Sequence, residues 1–333
     1  MGFLALVVMF FVFANPSVTR AADSPVKFPF VYGSISVNTL PLWIAKERDF
    51  FRKYNLDPQL VFIISGRAAQ AMVAGEVDVQ YNGASHVANA VMSGADMIIL
   101  LSFQNKLNFP LVARASIKSG EDLKGKKIAI GTPAGTASIA TYVALDHLGL
   151  NPRRDNIVLL GVGGIPERLG ALTAGVVEAT SMPPEFVSVA AGHGHKVLVD
   201  LAKENVQFQS SGLVTTKKFM RANPQLIENV GRALVEAVAY IHNPANKKLA
   251  LQTIAKYLRQ DKPDRLERAY QTALDDLPRK PCPTFQGVAS VLKIMSQYGL
   301  NPKAAQLRPE EIMDLSLCKK LDETGFIDRQ YQW

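Results

Sequence analysis

The sequence predicts an α/β fold of two doubly wound lobes followed by a run of helices, and three observations carry that expectation. Short apolar runs of strand type alternate with segments of helical period from Val26 onward. The alternation restarts after a charged turn at residues 121–125. Beyond Asn223 the strand signals stop and only helical spacing remains. A strand–helix–strand cadence calls for right-handed crossovers, which lay strands parallel and put helices on the sheet faces. At 333 residues the chain also exceeds one ordinary core and suits two bodies of roughly 100–200 residues each.

In the first half, residues 26–32 read as a strand and 40–54 as an amphipathic helix carrying Trp43, Ile44, Phe50 and Phe51 on its apolar stripe. A strand at 60–64, a helix at 68–74, a strand at 77–81, a helix at 85–93 and a strand at 97–103 follow. The second half runs strand 127–130, helix 137–148, strand 156–160, helix 165–174, strand 178–181, helix 185–191 and strand 196–200. A weak internal repeat aligns residues 71–79 with 171–179. Each copy is a helix that stops on glycine, Gly75 or Gly175, where a left-handed backbone carries no Cβ penalty. After Pro224, at a first-turn position, helices are expected at 224–238, 247–258, 264–274, 285–298 and 309–321. They either cover the first lobe and the hinge or form a helical domain of their own.

Almost half the residues are hydrophobic and a fifth are charged, the balance of a globular chain. Residues 3–14 are almost wholly apolar, and a Pro16 break and the small-residue pattern around Ala21 and Ala22 follow, as in a secretory signal. We read residues 1–22 as that signal, cleaved near Ala21 or Ala22. The run is too short for a span, which needs roughly 20 apolar residues. Met1-Gly2 supplies no basic side chain ahead of it, the one departure from the pattern. The formal charge is +8, or 8 − 1 = +7 once Arg20 is removed. Its basic residues are scattered, with no arginine-rich arm or aromatic–basic motif, so no nucleic-acid partner is expected. Cys282 and Cys318 are the two cysteines, and they either pair in an oxidising compartment or stay free. Their spacing makes no zinc site, so neither a metal nor another cofactor is expected.

Ligands of open α/β sheets lie beyond the carboxyl ends of the strands, where loops enter helices. Four such loops are rich in small and polar residues: Gly33 through Thr39, Ser65-Gly66-Arg67, Asn82 through Ser85, and Gly131 through Ala137. Each offers backbone N–H groups and hydroxyl or amide groups at a helix start, which favours an anionic group. The same residue types serve equally as helix N-caps. Tyr32, Tyr81 and Phe103 end or occupy strands that enter these loops and are candidates for an aromatic wall, whereas Trp43 reads as core. Arg67 is a candidate for a bidentate contact to a carboxylate. Glu185, after Pro183-Pro184, either caps its helix or reaches the cleft. His86 starts a helix beside one of the loops, and His193-Gly194-His195 reads as a solvated turn. No Walker loop, nucleophile elbow or His-Glu-x-x-His helix is present, so no catalytic residue is assigned.

The run from Pro41 to Leu56, then Gly75-Glu76-Val77-Asp78, Asp122-Leu123-Lys124-Gly125, Gly135-Thr136 and Pro183-x-Glu185 resemble the NMT1/THI5-like, or nitrate/sulfonate/taurine, family of ABC transporter substrate-binding proteins. The likeness covers residues 26–224. It implies a type II periplasmic-binding-protein fold, with two α/β lobes and a two-segment hinge crossing near residues 111–115 and 206–215. Lobe I would comprise residues 23–112 and 206–333, including the C-terminal helices, and lobe II residues 113–205. Carried over position by position, the family's pocket falls on Ser34, Ser36, Asn38, Ser65, Asn82, Ser85, Thr132, Thr136 and Glu185. Tyr32, Thr39, Arg67 and Phe103 join them from the loop reading above. The implied partners are a small anionic, aromatic or heterocyclic solute and an ABC permease in the inner membrane, served by a monomer in the periplasm. The same fold includes pyrimidine synthases of thiamine biosynthesis, but their cysteine-rich iron motif is missing here, and Cys282-Pro283-Thr284-Phe285 does not replace it. A sensor's ligand-binding module is the third reading and differs only in its partner.

Overall fold

The computed structural model describes residues 24–333, and the expected signal segment with its cleavage point lies outside the described residues. Ten strands form two five-stranded sheets. The first holds β1 (Val26–Tyr32), β2 (Leu56–Phe62), β3 (Val79–Asn82), β4 (Met97–Lys106) and β10 (Gln207–Thr216), in the order β2-β1-β3-β10-β4. The second holds β5 (Leu111–Ala113), β6 (Lys127–Ile130), β7 (Val158–Gly161), β8 (Ala179–Ser181) and β9 (Lys196–Val199), in the order β7-β6-β8-β5-β9.

Both sheets are mixed, where the alternation predicted parallel ones. Strand β1 pairs parallel with β2 and β3, as β6 does with β7 and β8. By contrast β10 runs antiparallel between β3 and β4, and β5 antiparallel between β8 and β9. These are the two strands the periodicity did not reveal, and they occupy most of the segments read as hinge crossings. Strand β5 has three residues, all buried, and β10 buries apolar and polar side chains alike, so neither shows alternation. The chain leaves the first sheet over residues 107–110 and returns over residues 200–206.

The helices follow the sheets. The helix expected over 40–54 is two: α1 (Leu40–Glu47) and α2 (Phe50–Lys53), separated at Asp49, whose left-handed φ of 56° turns the chain out of the first. Helices α3 (Ser65–Val73) and α4 (Ala84–Met92) belong to the first sheet, and α5 (Thr136–His147), α6 (Ile165–Thr173) and α7 (Pro184–Ala191) to the second. The repeat is visible in three dimensions: α3 turns at Gly75 into β3, and α6 at Gly175 into β8, with φ of +76° and +73°.

The C-terminal helices α8 (Lys217–Ala222), α9 (Pro224–His242), α10 (Lys247–Leu258), α11 (Pro263–Asp276), α12 (Phe285–Gln297), α13 (Pro309–Ile312), α14 (Ser316–Glu323) and α15 (Phe326–Arg329) complete the fold. Helix α9 packs on α1 and α2, α12 on β10 and α4, and α11 reaches α7. Cys282 and Cys318 form a disulfide. One apolar cluster occupies the α1–α9 face of the first sheet, around Phe30, Trp43, Leu100 and Leu234. Another runs from the α3–α4 face through Leu107, Phe109 and Leu111 to the α5 side of the second sheet.

Candidate functional site

Strands β1, β2, β3, β6 and β7 end toward a common space, and the loops that follow them enclose a cleft of about 440 Å³ between the two sheets. From the first sheet come Ser34, Asn38 and Thr39 after β1, Ser65 and Arg67 at the start of α3, and Asn82, Gly83 and His86 at the start of α4. From the second come Thr132 and Thr136 before and at the start of α5, and residues 163–168 at the start of α6. Ser210 and Ser211 of β10 and Phe109 of the outgoing crossing also line it.

Internal hydrogen bonds hold these loops. Ser65 Oγ donates to the Gly33 carbonyl at 3.1 Å, and Thr39 Oγ1 to that of Ser34 at 2.9 Å. Asn82 Nδ2 donates to the Ser65 carbonyl at 3.1 Å, while its Oδ1 accepts from Gly83 N–H at 2.9 Å, joining two of the predicted loops. Asn38 Nδ2 donates to Gln104 Oε1 at 2.8 Å, and Gln104 donates in turn to Asp276. Asn38 Oδ1 is buried without a partner, an acceptor left for a donor. Across the cleft, the hydroxyls of Thr136 and Ser210 lie 3.2 Å apart.

Of the residues expected to form the site, Ser34, Asn38, Thr39 and Ser65 line the cleft, as do Arg67, Asn82, Thr132 and Thr136. Five others lie outside its wall. Tyr32 shares strand parity with Phe28 and Phe30, so it faces the α1 layer and packs edge-on to Trp43. Phe103 is fully buried and stacks on Tyr81 at 5.1 Å; Tyr81 itself lines the cleft and donates to the Asn38 carbonyl. Ser36 caps the short 3-10 turn at Val37–Thr39, accepting from Asn38 N–H at 3.3 Å. Ser85 is buried in the first turn of α4. Glu185 Oε1 accepts from Val37 N–H at 2.9 Å, bridging the two halves beside the cleft, and burial raises its pKa to about 7.

Sequence reasoning missed the α6 end of the cleft. Gly163-Gly164, Glu167 and Arg168 carry no motif, and the one signal was the placement of Gly163-Gly164 between a predicted strand and helix, as in the other loops. His86 lines the cleft, and burial lowers its pKa to about 4, so it is neutral at pH 7. Among the described residues, no group of three His, Cys, Asp or Glu side chains is placed to hold a metal ion, and no helix is long and apolar enough to cross a membrane.

Residues 36–247 match the family described as NMT1/THI5 like. No curated protein matches the sequence. Among solved structures, a protein from Bordetella bronchiseptica RB50 is 23% identical with a TM-score of 0.77, over 90% of this chain and 97% of that one. The alkanesulfonate-binding protein SsuA from Xanthomonas axonopodis pv. citri, bound to MOPS, is 17% identical with a TM-score of 0.72, over 89% and 100%. The periplasmic nitrate-binding protein NrtA from Synechocystis PCC 6803 is 14% identical with a TM-score of 0.70, over 92% and 91%. At these identities the likeness establishes the fold, that of the periplasmic binding proteins.

Proposed function

The chain belongs to the NMT1/THI5-like family, and from that premise we propose that it is the solute-binding component of an ABC importer, exported to the periplasm. A small anionic or aromatic/heterocyclic solute would bind in the cleft between two lobes that close over it, and the closed form would dock on a permease. The observation that carries this reading is the cleft itself: about 440 Å³, built by strand-end loops of both sheets and lined with hydroxyls, amides and glycine backbone. That is the size of a small-molecule site. Binding proteins for sulfonates and nitrate share the fold.

We take the protein to hold its solute without converting it. The neutral His86 sits alone in the cleft, with no cysteine or second imidazole among the lining residues. Both cysteines are tied in the disulfide, so they are not available as the iron ligands of a pyrimidine synthase.

The reading is tested by thermal denaturation of the chain from residue 23 onward, screened against alkanesulfonates, carboxylates, pyrimidines and nitrate. A ligand that binds only the folded form raises stability by about 2.7 kcal/mol at a hundredfold excess over Kd. At least one class should raise the melting temperature in a saturable way. Chemical turnover of the bound compound would count against the reading.

A further inference from the structure

Gly163 sits at a φ of +114°, a left-handed conformation that turns the chain from β7 into α6. Arg168 lies one turn into that helix. Long helical side chains lean back toward the N-terminus, and this one brings its guanidinium back to the Gly163 carbonyl, where Nη1 donates at 2.8 Å. Its Nε donates to Thr180 Oγ1 at 3.2 Å and Nη2 to the Ser181 carbonyl at 3.3 Å. The residue is 4% exposed and still forms part of the cleft wall. Gly131 makes room for it: a Cβ there would lie 3.3 Å from Nη1.

All three acceptors are neutral. None of the ion pairs among the described residues includes Arg168, and its neighbour Glu167 is exposed on the same wall. Burying a cation on neutral acceptors is costly, and the one charge that offsets the cost here is the solvent-exposed carboxylate of Glu167. Burial lowers the pKa of Arg168 only to about 10, so the charge persists at neutral pH. A guanidinium has five N–H groups, and three hydrogen bonds leave two.

We propose that Arg168 is the charge-selecting residue of the cleft: a solute's carboxylate or sulfonate takes the two remaining guanidinium N–H groups, and uncharged isosteres are rejected. This rests on the solute-binding reading and narrows it to anions. The start of α6 adds a favourable dipole at the same spot. The first-sheet loops, with Asn38 Oδ1 and Tyr81, then face the remainder of the solute.

The test pairs each anion with its neutral isostere: ethanesulfonate with ethanesulfonamide, benzoate with benzamide, nicotinate with nicotinamide. Calorimetry is run on the wild-type chain, Arg168→Lys and Arg168→Met, with circular dichroism as the folding check. The wild type should bind at least one anion and prefer it over its isostere on the order of 100-fold, as charge-assisted hydrogen bonds allow. Arg168→Lys should keep the sign of that preference and lose much of its size, and Arg168→Met should abolish it. Wild-type binding of a neutral isostere as tight as its anion overturns the assignment and leaves the receptor reading intact, and this arm holds even if Arg168→Met does not fold. An undiminished preference in a folded Arg168→Lys or Arg168→Met also overturns it. Failure of all six probes and of the wider thermal screen overturns the receptor reading itself.

Discussion

Glu185 joins the start of α7 to the loop after β1 through Val37 N–H, and its second oxygen is buried without a partner. Burial raises its pKa to about 7 from an ordinary 4.5, against the Val37 bond and with help from the charge of Asp276. Between those values the folded chain holds a proton that the unfolded chain has lost, so this residue's contribution is full below about 4.5 and falls as pH rises to about 7. His86 acts in the opposite direction: its pKa drops to about 4, so its contribution grows as pH rises toward 6.5. The difference between two proteins therefore isolates Glu185 better than one melting curve does. Relative to Glu185→Gln, the wild type should lose melting temperature steadily from pH 4.5 to 7 and keep a constant offset above that. Parallel curves across the window would refute the assignment. Glycines give a second check at this scale. A Cβ at Gly83 would press on the Ser210 carbonyl, a backbone atom of β10, whereas one at Gly170 in α6 meets nothing within 4 Å. Gly83→Ala should cost about 1–3 kcal/mol by overpacking. Gly170→Ala should gain about 0.5–1 kcal/mol of helix propensity, both read by urea denaturation.

Among the elements, the C-terminal helices show how packing is tied down by a covalent link. Cys282 lies between α11 and α12, Cys318 is fully buried in α14, and 36 positions separate them. Helix α14 packs on β4 and α9, and α12 on β10, so the disulfide ties the segment leading into α12 to α14, and both helices rest on the same sheet. Closing a loop of that length restricts the unfolded chain by about 4 kcal/mol in the entropic account. Reduction, or the Cys282→Ser/Cys318→Ser pair, should lower the free energy of unfolding by about 2–4 kcal/mol, measured in denaturant with and without reductant. The strand-to-helix loops were legible because glycine and Ser, Thr or Asn gather at the strand ends and helix starts. The wall formed by Arg168 was not, since an arginine inside an amphipathic helix reads as a solvated side chain until the neighbouring strands β6 and β8 close over it.

At the scale of the molecule, contacts both within and beyond the cleft wall hold the two sheets together. Tyr142 of α5 stacks on Tyr298, just beyond α12, with ring centroids 5.5 Å apart, and burial, aided by the Asp146 carboxylate, raises the pKa of the Tyr298 hydroxyl. With Glu185–Val37 and Thr136–Ser210, this pair links the two sheets. Under the proposed closure over a solute, weakening such a link costs affinity without touching the solute. An aromatic pair is worth about 0.5–1.5 kcal/mol, so Tyr298→Ala should weaken binding of whichever solute the thermal screen selects by about 2- to 12-fold. Calorimetry measures the affinity, and small-angle scattering should show a larger radius of gyration for the variant. Unchanged affinity would separate this contact from solute capture.

Local order, then, was mostly the sequence's own: the runs other than β5 and β10 that become strands or helices, where Gly75 and Gly175 stop a helix, and which loops collect polar groups at strand ends. These follow from periodicity and backbone conformation over a few neighbouring residues. Tertiary structure alone decided that β5 and β10 run antiparallel inside their sheets, that Glu185 meets Val37 across 148 positions, and that Arg168 is buried at the cleft wall. The physical reason is that a hydrophobic pattern states which face of an element is buried but not against what, and pairings between distant residues exist only once the chain has crossed between its two sheets and come back.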